Sequence, residues 1–290
     1  MVVSVRFNSK FQKKSISLPC RSHPSTLRIE EELTKIKSST LTKASADNIS
    51  DGLCQLANLY DHVDDLLASV ATQNLISAHG KEMWLEEVLE GSIKLLDVCS
   101  ILRDVILQIK ENLRDLQCAL RRRKGQTSIG TSIKEFSSFR KNMLKDAKEL
   151  IMSLKQSEKS TGLMTDPCNH HLTAVIRVFV EITDLAVVVF ESLFKLVSPV
   201  SKVNGWSIAV SKLIHKRAVA CQQTMNEFEN IDAALHYILC NGQETSEDTR
   251  TAHSRVEDLY AKITRIESGL GCLFRRFLKT RIDILNIISL

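Results

Sequence analysis

The chain has 290 residues and a formal charge of +5, with only four prolines and ten glycines set against abundant Leu, Ile, Lys, Glu and Ser. That length holds one large core or two modest ones, and the composition excludes a chain disordered throughout and favours helices over strands and turns.

The first element in chain order is a basic arm. Residues 1 to 28 hold Arg6, Lys10, Lys13, Lys14, Arg21 and Arg28 with no acid, which leaves the remainder at −1. The folded body is therefore not expected to bind nucleic acid. Residues 1–27 read as a disordered, Ser-rich N-terminal arm, and residues 28–290 as a single helical-bundle domain. The start lacks the apolar core of a secretory signal. Its composition suits either a cytosolic arm or an organelle transit peptide, so a cytoplasmic location is expected, with an organelle as the alternative. Ser15, Ser17, Ser22 and Ser25 stand near Lys14 and Arg21, and each phosphorylation there would remove ~1.5–2 units of positive charge.

The first apolar seam is Ile49, Leu53, Leu56, Tyr60, Val63, Leu67 and Val70, spaced as one face of a helix, with Asp47 and Asn48 as expected caps. Next comes the longest uninterrupted seam: Leu95, Cys99, Leu102, Ile106, Ile109, Leu113, Leu116 and Leu120. It predicts a rod from Gly91 to Lys124, ~50 Å long at 1.5 Å per residue. Leu96, Val98, Ile101 and Val105 broaden its first half, which is expected to be enclosed by several helices. The second half narrows and is expected to pack on one side.

Ile133, Phe136, Met143, Ala147, Leu150 and Leu154 outline a third helix in which Arg140 takes a seam position. Ser132 and Glu135 read as a capping box at its start. Residues 172 to 197 are nearly continuous apolar sequence, but Arg177, Glu181, Asp184, Glu191 and Lys195 share one helical face. On a strand they would scatter over both faces, and in a bilayer each would cost ~2.5 kcal/mol or more, so a buried helix of a water-surrounded bundle is expected. Asp166-Pro167 reads as its start.

Val210, Ile214, Cys221, Phe228, Ile231, Leu235 and Ile238 form the fifth seam, ending at Asn241-Gly242. Val256, Leu259, Ile263, Ile266, Leu270, Leu273, Phe277, Ile284 and Ile287 form the sixth, preceded by Thr245 and Asp248 as a second capping box. The connectors between these segments are short, which implies antiparallel neighbours.

Two basic clusters are candidate contacts for an anionic surface. Arg121, Arg122, Arg123 and Lys124 end the rod, where cations also complement the helix dipole by ~0.3–1 kcal/mol each. Arg275, Arg276, Lys279 and Arg281 lie among Leu273, Phe274, Phe277 and Leu278, a basic amphipathic pattern suited to lipid or to a groove, although its apolar positions also continue the sixth seam. The eight cysteines are scattered without a C-x-x-C pair, which fits reduced thiols, and Cys99 and Cys221 fall on seams as small hydrophobes. Asp166, Cys168, His170 and His171 match no zinc spacing. The Gly-rich, nucleophile-elbow and zinc-protease motifs are absent, so no catalytic residue, cofactor or metal is assigned and no enzyme activity is expected.

Several stretches together carry a family resemblance. They are Ser17-Leu18-Pro19-Cys20-Arg21-Ser22-His23-Pro24, Leu89-Glu90-Gly91-Ser92-Ile93-Lys94-Leu95-Leu96-Asp97-Val98-Cys99-Ser100, Leu120-Arg121-Arg122-Arg123, and Cys272-Leu273-Phe274-Arg275-Arg276-Phe277-Leu278-Lys279-Thr280-Arg281. As a set they resemble the plant-specific BYPASS-like family, also catalogued as domain of unknown function two-four-one. The resemblance implies a mostly helical plant protein associated with root and shoot development, with no catalytic residues to carry over, and it implies the chloroplast as the alternative location.

The expectation is an all-α, elongated bundle of about six long, mostly antiparallel helices. Its expected role is that of a non-catalytic interaction protein whose protein partners the sequence does not name. The alternative is a peripheral protein on an anionic membrane surface.

Overall fold

The computed structural model describes residues 24–40, 45–80, 82–121, 126–142, 152, 170–197, 226–241 and 246–289. All secondary structure among them is helical: α1 (Pro24–Thr40), α2 (Ala46–Ala68), α3 (Val70–Ala78), α4 (Met83–Arg121), α5 (Gln126–Asn142), α6 (His170–Val197), α7 (Glu227–Asn241) and α8 (Ser246–Ile288).

Four of them make the central bundle. α8 packs along both α4 and α2, and α6 closes the ring by packing on α4 and α2 from the other side. α8 is the longest helix at 43 residues, ahead of the 39 of α4. At 1.5 Å per residue these are rods of ~64 and ~58 Å. The spine is thus the sixth seam, not the second, because α8 buries a residue on nearly every turn from Ala252 to Ile287. Tyr60 of α2, Phe190 of α6 and Phe277 of α8 meet edge to face at the centre, with ring centroids 5.0 and 6.3 Å apart across Phe277.

Side-chain pairs fix the directions. Arg121 reaches His253, the Cys99 thiol reaches the Leu270 carbonyl, and Arg281 reaches Ser92, so α4 and α8 run antiparallel. Asp61 pairs with Arg276 and Asp64 with Lys279, while Asp47 pairs with Lys262, so α2 and α8 run parallel. The parallel pair departs from the antiparallel rule for short connectors because α2 and α8 are far apart in the chain.

The seams of α2, α4, α6 and α8 lie in the core as expected, including Cys99, whose burial pushes its thiol up to about 12. The second half of α4 narrows to Ile109, Leu113, Leu116 and Leu120. The charges of α6 form its least buried face, where Glu181 meets Lys37 and Arg177 meets Glu30, both on α1. Among the described residues no helix is long and apolar enough to cross a membrane.

Several expected boundaries move. α1 begins at Pro24, inside the segment 1–27 read as an arm, and buries Thr26, Ile29, Leu33 and Ile36. That spacing of three, four and three is helical and was available in the sequence. Residues 1–23 lie outside the described residues. The first seam breaks at Ser69, whose extended backbone (φ −71°, ψ 132°) ends α2 while its hydroxyl accepts from the Thr72 amide to start α3. Val70 consequently leaves the seam and is 70% exposed. Ser45, not Asp47 or Asn48, caps α2, accepting from the Asn48 amide at 3.2 Å. α4 starts eight residues before Gly91, at Met83. α5 begins at Gln126, so Ser132 is inside the helix and opens nothing. α7 begins after Asn226, where Asn226 Oδ1 accepts from the Glu229 amide and Glu229 Oε2 accepts from the Asn226 amide, both at 2.9 Å. This reciprocal capping box is a start signal that the seam from Val210 obscured. Residues 201–225, Met143 to Ile151, Asp166-Pro167 and Thr245 lie outside the described residues.

Candidate interaction surface

The two basic clusters have different surroundings. Arg121 is exposed at the end of α4, with its Nε donating to His253 Nε2 at 2.8 Å; Arg122, Arg123 and Lys124 lie outside the described residues. In the second cluster, Arg276 pairs with Asp61 at 2.5 Å and Lys279 pairs with Asp64 at 3.0 Å and Asp283 at 2.8 Å. Arg281 donates to the Leu89 carbonyl and to Ser92 Oγ. Only Arg275 points outward with no ion pair or hydrogen bond among the described residues. α8 therefore spends most of this cluster on holding α2 and α4.

What remains open is apolar. Leu278, Ile282 and Leu285 are 42%, 46% and 40% exposed, and their spacing of four and three sets them in one ridge along α8. Leu278 and Leu285 lie one turn either side of Arg281, so the ridge flanks the line where Arg281 touches Leu89 and Ser92 of α4. Ile93, next to Ser92, is 44% exposed, with Leu89, Leu96 and Phe274 half-buried against the core. The outer face of the α4–α8 pair thus carries an apolar strip. Its α8 edge is basic, since Arg275 and Lys279, the latter paired with Asp64 and Asp283, are the only exposed charged side chains beyond Gly271 among the described residues. Its α4 edge is acidic, since Glu86, Glu90, Asp97, Asp104 and Glu111 are the only exposed charges from Met83 to Glu111. The ridge was missed in the sequence because the sixth seam absorbed it. Its signal was a second apolar row beside Phe277, Ile284 and Ile287.

The seam arginine forms a separate structure. Arg140 is 2% exposed; its Nη1 donates to both carboxylate oxygens of Asp232 at 2.6 Å and its Nη2 to the carbonyl of Val197 at 3.2 Å. Val197 ends α6, so the guanidinium satisfies a terminal carbonyl that the helix cannot. The same group lies 4.5 Å from the centre of the Phe228 ring and 5.8 Å from that of Phe136. Arg140 ties α5 to the ends of α6 and α7.

Clefts open on two sides of α8. One of about 380 Å³ lies between α7 and α8 and is lined by Glu227, Asn230, Ser254, Arg255 and Asp258. Its charges are committed: Lys262 holds Asp47 at 3.0 Å and Glu227 and Asp258 at 3.3 Å, Glu227 accepts from the Ala46 amide, and Arg255 donates to the Asn230 carbonyl. Burial raises Asp47, but its bonds to Lys262 and Arg265 outweigh that and hold it below its ordinary 3.8. The second, of about 280 Å³, is lined by Asp64, Leu67, Gln73, Lys279, Asp283 and Ile287 among others. The histidine pair expected near a helix start divides, with His170 exposed and His171 Nε2 3.2 Å from Thr72 Oγ1; Asp166 and Cys168 lie outside the described residues. Among the described residues no three His, Cys, Asp or Glu side chains gather as a metal would require.

No curated protein and no solved structure matches this chain. A family model described as Protein BPS1 matches residues 52–287, from the first turns of α2 to the last turn of α8, over the helices that build the bundle and its outer face. The chain therefore belongs to that family, the BYPASS-like family that its motifs resemble.

Proposed function

We propose that this chain is a non-catalytic interaction protein of plants, acting in root and shoot development and presenting the outer faces of its helices to protein partners in the cytoplasm. The observation that carries the reading is the exposed ridge Leu278, Ile282 and Leu285 beside Ile93. An apolar strip edged by charge is what an interaction site needs. The ionisable groups of both clefts are engaged in ion pairs and hydrogen bonds within α8 or between α8 and its neighbours, which supports a structural role for them. Family membership supports the plant and developmental part of the reading.

Proximity labelling and co-purification with the tagged full chain in plant tissue test it. A stable protein partner that is lost when Leu278 and Ile282 become Asp is the expected result, and recovery of none overturns the reading. Peripheral binding to anionic lipid, through the basic arm and the end of α8, is a second reading, favoured by Arg275 standing free beside Leu278 and Ile282. Sedimentation with acidic and neutral vesicles decides it: equal pelleting, or none, removes it.

A further inference from the structure

We propose that the partner of the α4–α8 face is a second copy of this chain, docked about a two-fold axis parallel to the helices. The inference rests on the interaction reading above and names the occupant of its ridge.

The face is complementary to itself. Across it run, in order, a basic edge on α8, the apolar strip of Leu278, Ile282, Leu285 and Ile93, and an acidic edge on α4. Turning a copy over about an axis parallel to the helices lays its α8 on the first copy's α4, strip on strip and basic edge on acidic edge. The alternative two-fold, across the helices, lays α4 on α4 and sets the acidic edge with Glu86 and Asp97 against its own image, which like-charge repulsion opposes. The interface is isologous and closes at two copies.

The register follows from contacts within one chain. Cys99 meets Leu270 and Arg281 meets Ser92, so Arg275 lies level with the stretch around Asp97. A rotation about an axis along the helices keeps that level, so Arg275 of one copy meets Asp97 of the other, twice per dimer. Both side chains are exposed and have no partner among the described residues. The size is sufficient: the segment of α8 from Gly271 to Ser289 is ~30 Å long, and two helices are ~20 Å wide, giving ~600 Å² per copy and ~1,200 Å² in total, the lower bound of a specific interface.

Sedimentation equilibrium of the purified full chain tests the proposal, with circular dichroism confirming that each variant is folded. The expected species is a dimer of twice 32.6 kDa that dissociates on dilution and with salt. Ile282→Asp, Arg275→Asp and Asp97→Arg are each expected to raise the dissociation constant by about tenfold or more. The double variant carrying Arg275→Asp and Asp97→Arg restores both cross-pairs and is expected to return to within about threefold of the parent. A parent chain still monomeric at ~100 μM overturns the dimer, as does indifference to Ile282→Asp or a double variant no better than its single parents. If the parent is monomeric but Ile282→Asp abolishes capture of a different protein, or pelleting with acidic vesicles, the second copy is excluded while the ridge keeps its role. If neither self-association nor any ridge-dependent capture is found, the interaction reading fails with it.

Discussion

Arg140 of α5 and Asp232 of α7 form a one-sided ion pair, with the guanidinium 2% exposed and the carboxylate 39% exposed. Removing either member therefore has a different consequence. Asp232→Ala strands a charge inside the protein, and is expected to cost ~3 kcal/mol or more in urea unfolding. Arg140→Met removes the buried charge and leaves Asp232 with water, but it also strands the Val197 carbonyl, so it is expected to cost ~1–3 kcal/mol, less than Asp232→Ala. Equal losses in the two variants would show that the guanidinium does not depend on the pair more than Asp232 does.

Two glycines in long helices are expected to respond in opposite directions to alanine. A Cβ at Gly269 would lie 3.1 Å from Leu53 Cβ and 3.3 Å from its Cδ1, where α8 crosses α2. The nearest atom sits on the backbone side of Leu53 and has little room to yield, so Gly269→Ala is expected to destabilise by ~1–3 kcal/mol. At Gly91 nothing lies within 4 Å, and Gly91→Ala is expected to stabilise by ~0.5–1 kcal/mol by restricting the unfolded chain. Thermal melts of the two single variants check both signs.

The Asp47–Lys262 pair gives stability a sign with pH. The folded carboxyl of Asp47 titrates below its ordinary 3.8, so its contribution is present above that value and is lost as pH falls through the folded value. Lys262 is lowered by burial but raised more by Asp47, Glu227 and Asp258, so its contribution is present below 10.5 and fades as pH rises through its higher folded value. Asp47→Asn is expected to be less stable than the parent at pH 7, with the difference closing below about pH 4. A gap that stays constant down to pH 3 in denaturant titrations would refute the assignment.

Thiol labelling separates the cysteines by position. Cys54 and Cys118 are exposed, whereas Cys99 is buried, with desolvation raising it to about 12 and Arg103 only partly opposing this. Alkylation of the native protein at pH 8, followed by peptide mapping, is expected to mark Cys54 and Cys118 and to spare Cys99 until denaturant is added. Labelling of Cys99 at the rate of Cys54 in native protein would mean that α4 and α8 separate readily.

The bundle was legible because its four main helices write their burial into spacing: Leu95 to Leu120 repeat at three and four without a polar interruption, and Val256 to Ile287 do so with Thr280 alone between Phe277 and Ile284. The ends were less legible, since caps are short-range and ambiguous. Asp47 and Asn48 read as starts, and the structure uses Asp47 for Lys262 and Ser45 for the backbone. Charges were the least legible. Arg276, Lys279 and Arg281 look like a basic surface along the sequence, but Asp61, Asp64 and the Leu89 carbonyl, remote in the chain, meet them in space. The outer ridge was hidden for a related reason, since an apolar residue beside a seam reads the same whether a neighbour covers it or not.

Because α8 follows α2 and α4 in the chain, yet lies between them, the protein cannot assemble in the order in which it is made. Both earlier helices leave the ribosome with their greasy edges bare, and wait some 120 residues or more for the rod that covers them. A chain stopped before α8 is therefore expected to leave both edges uncovered.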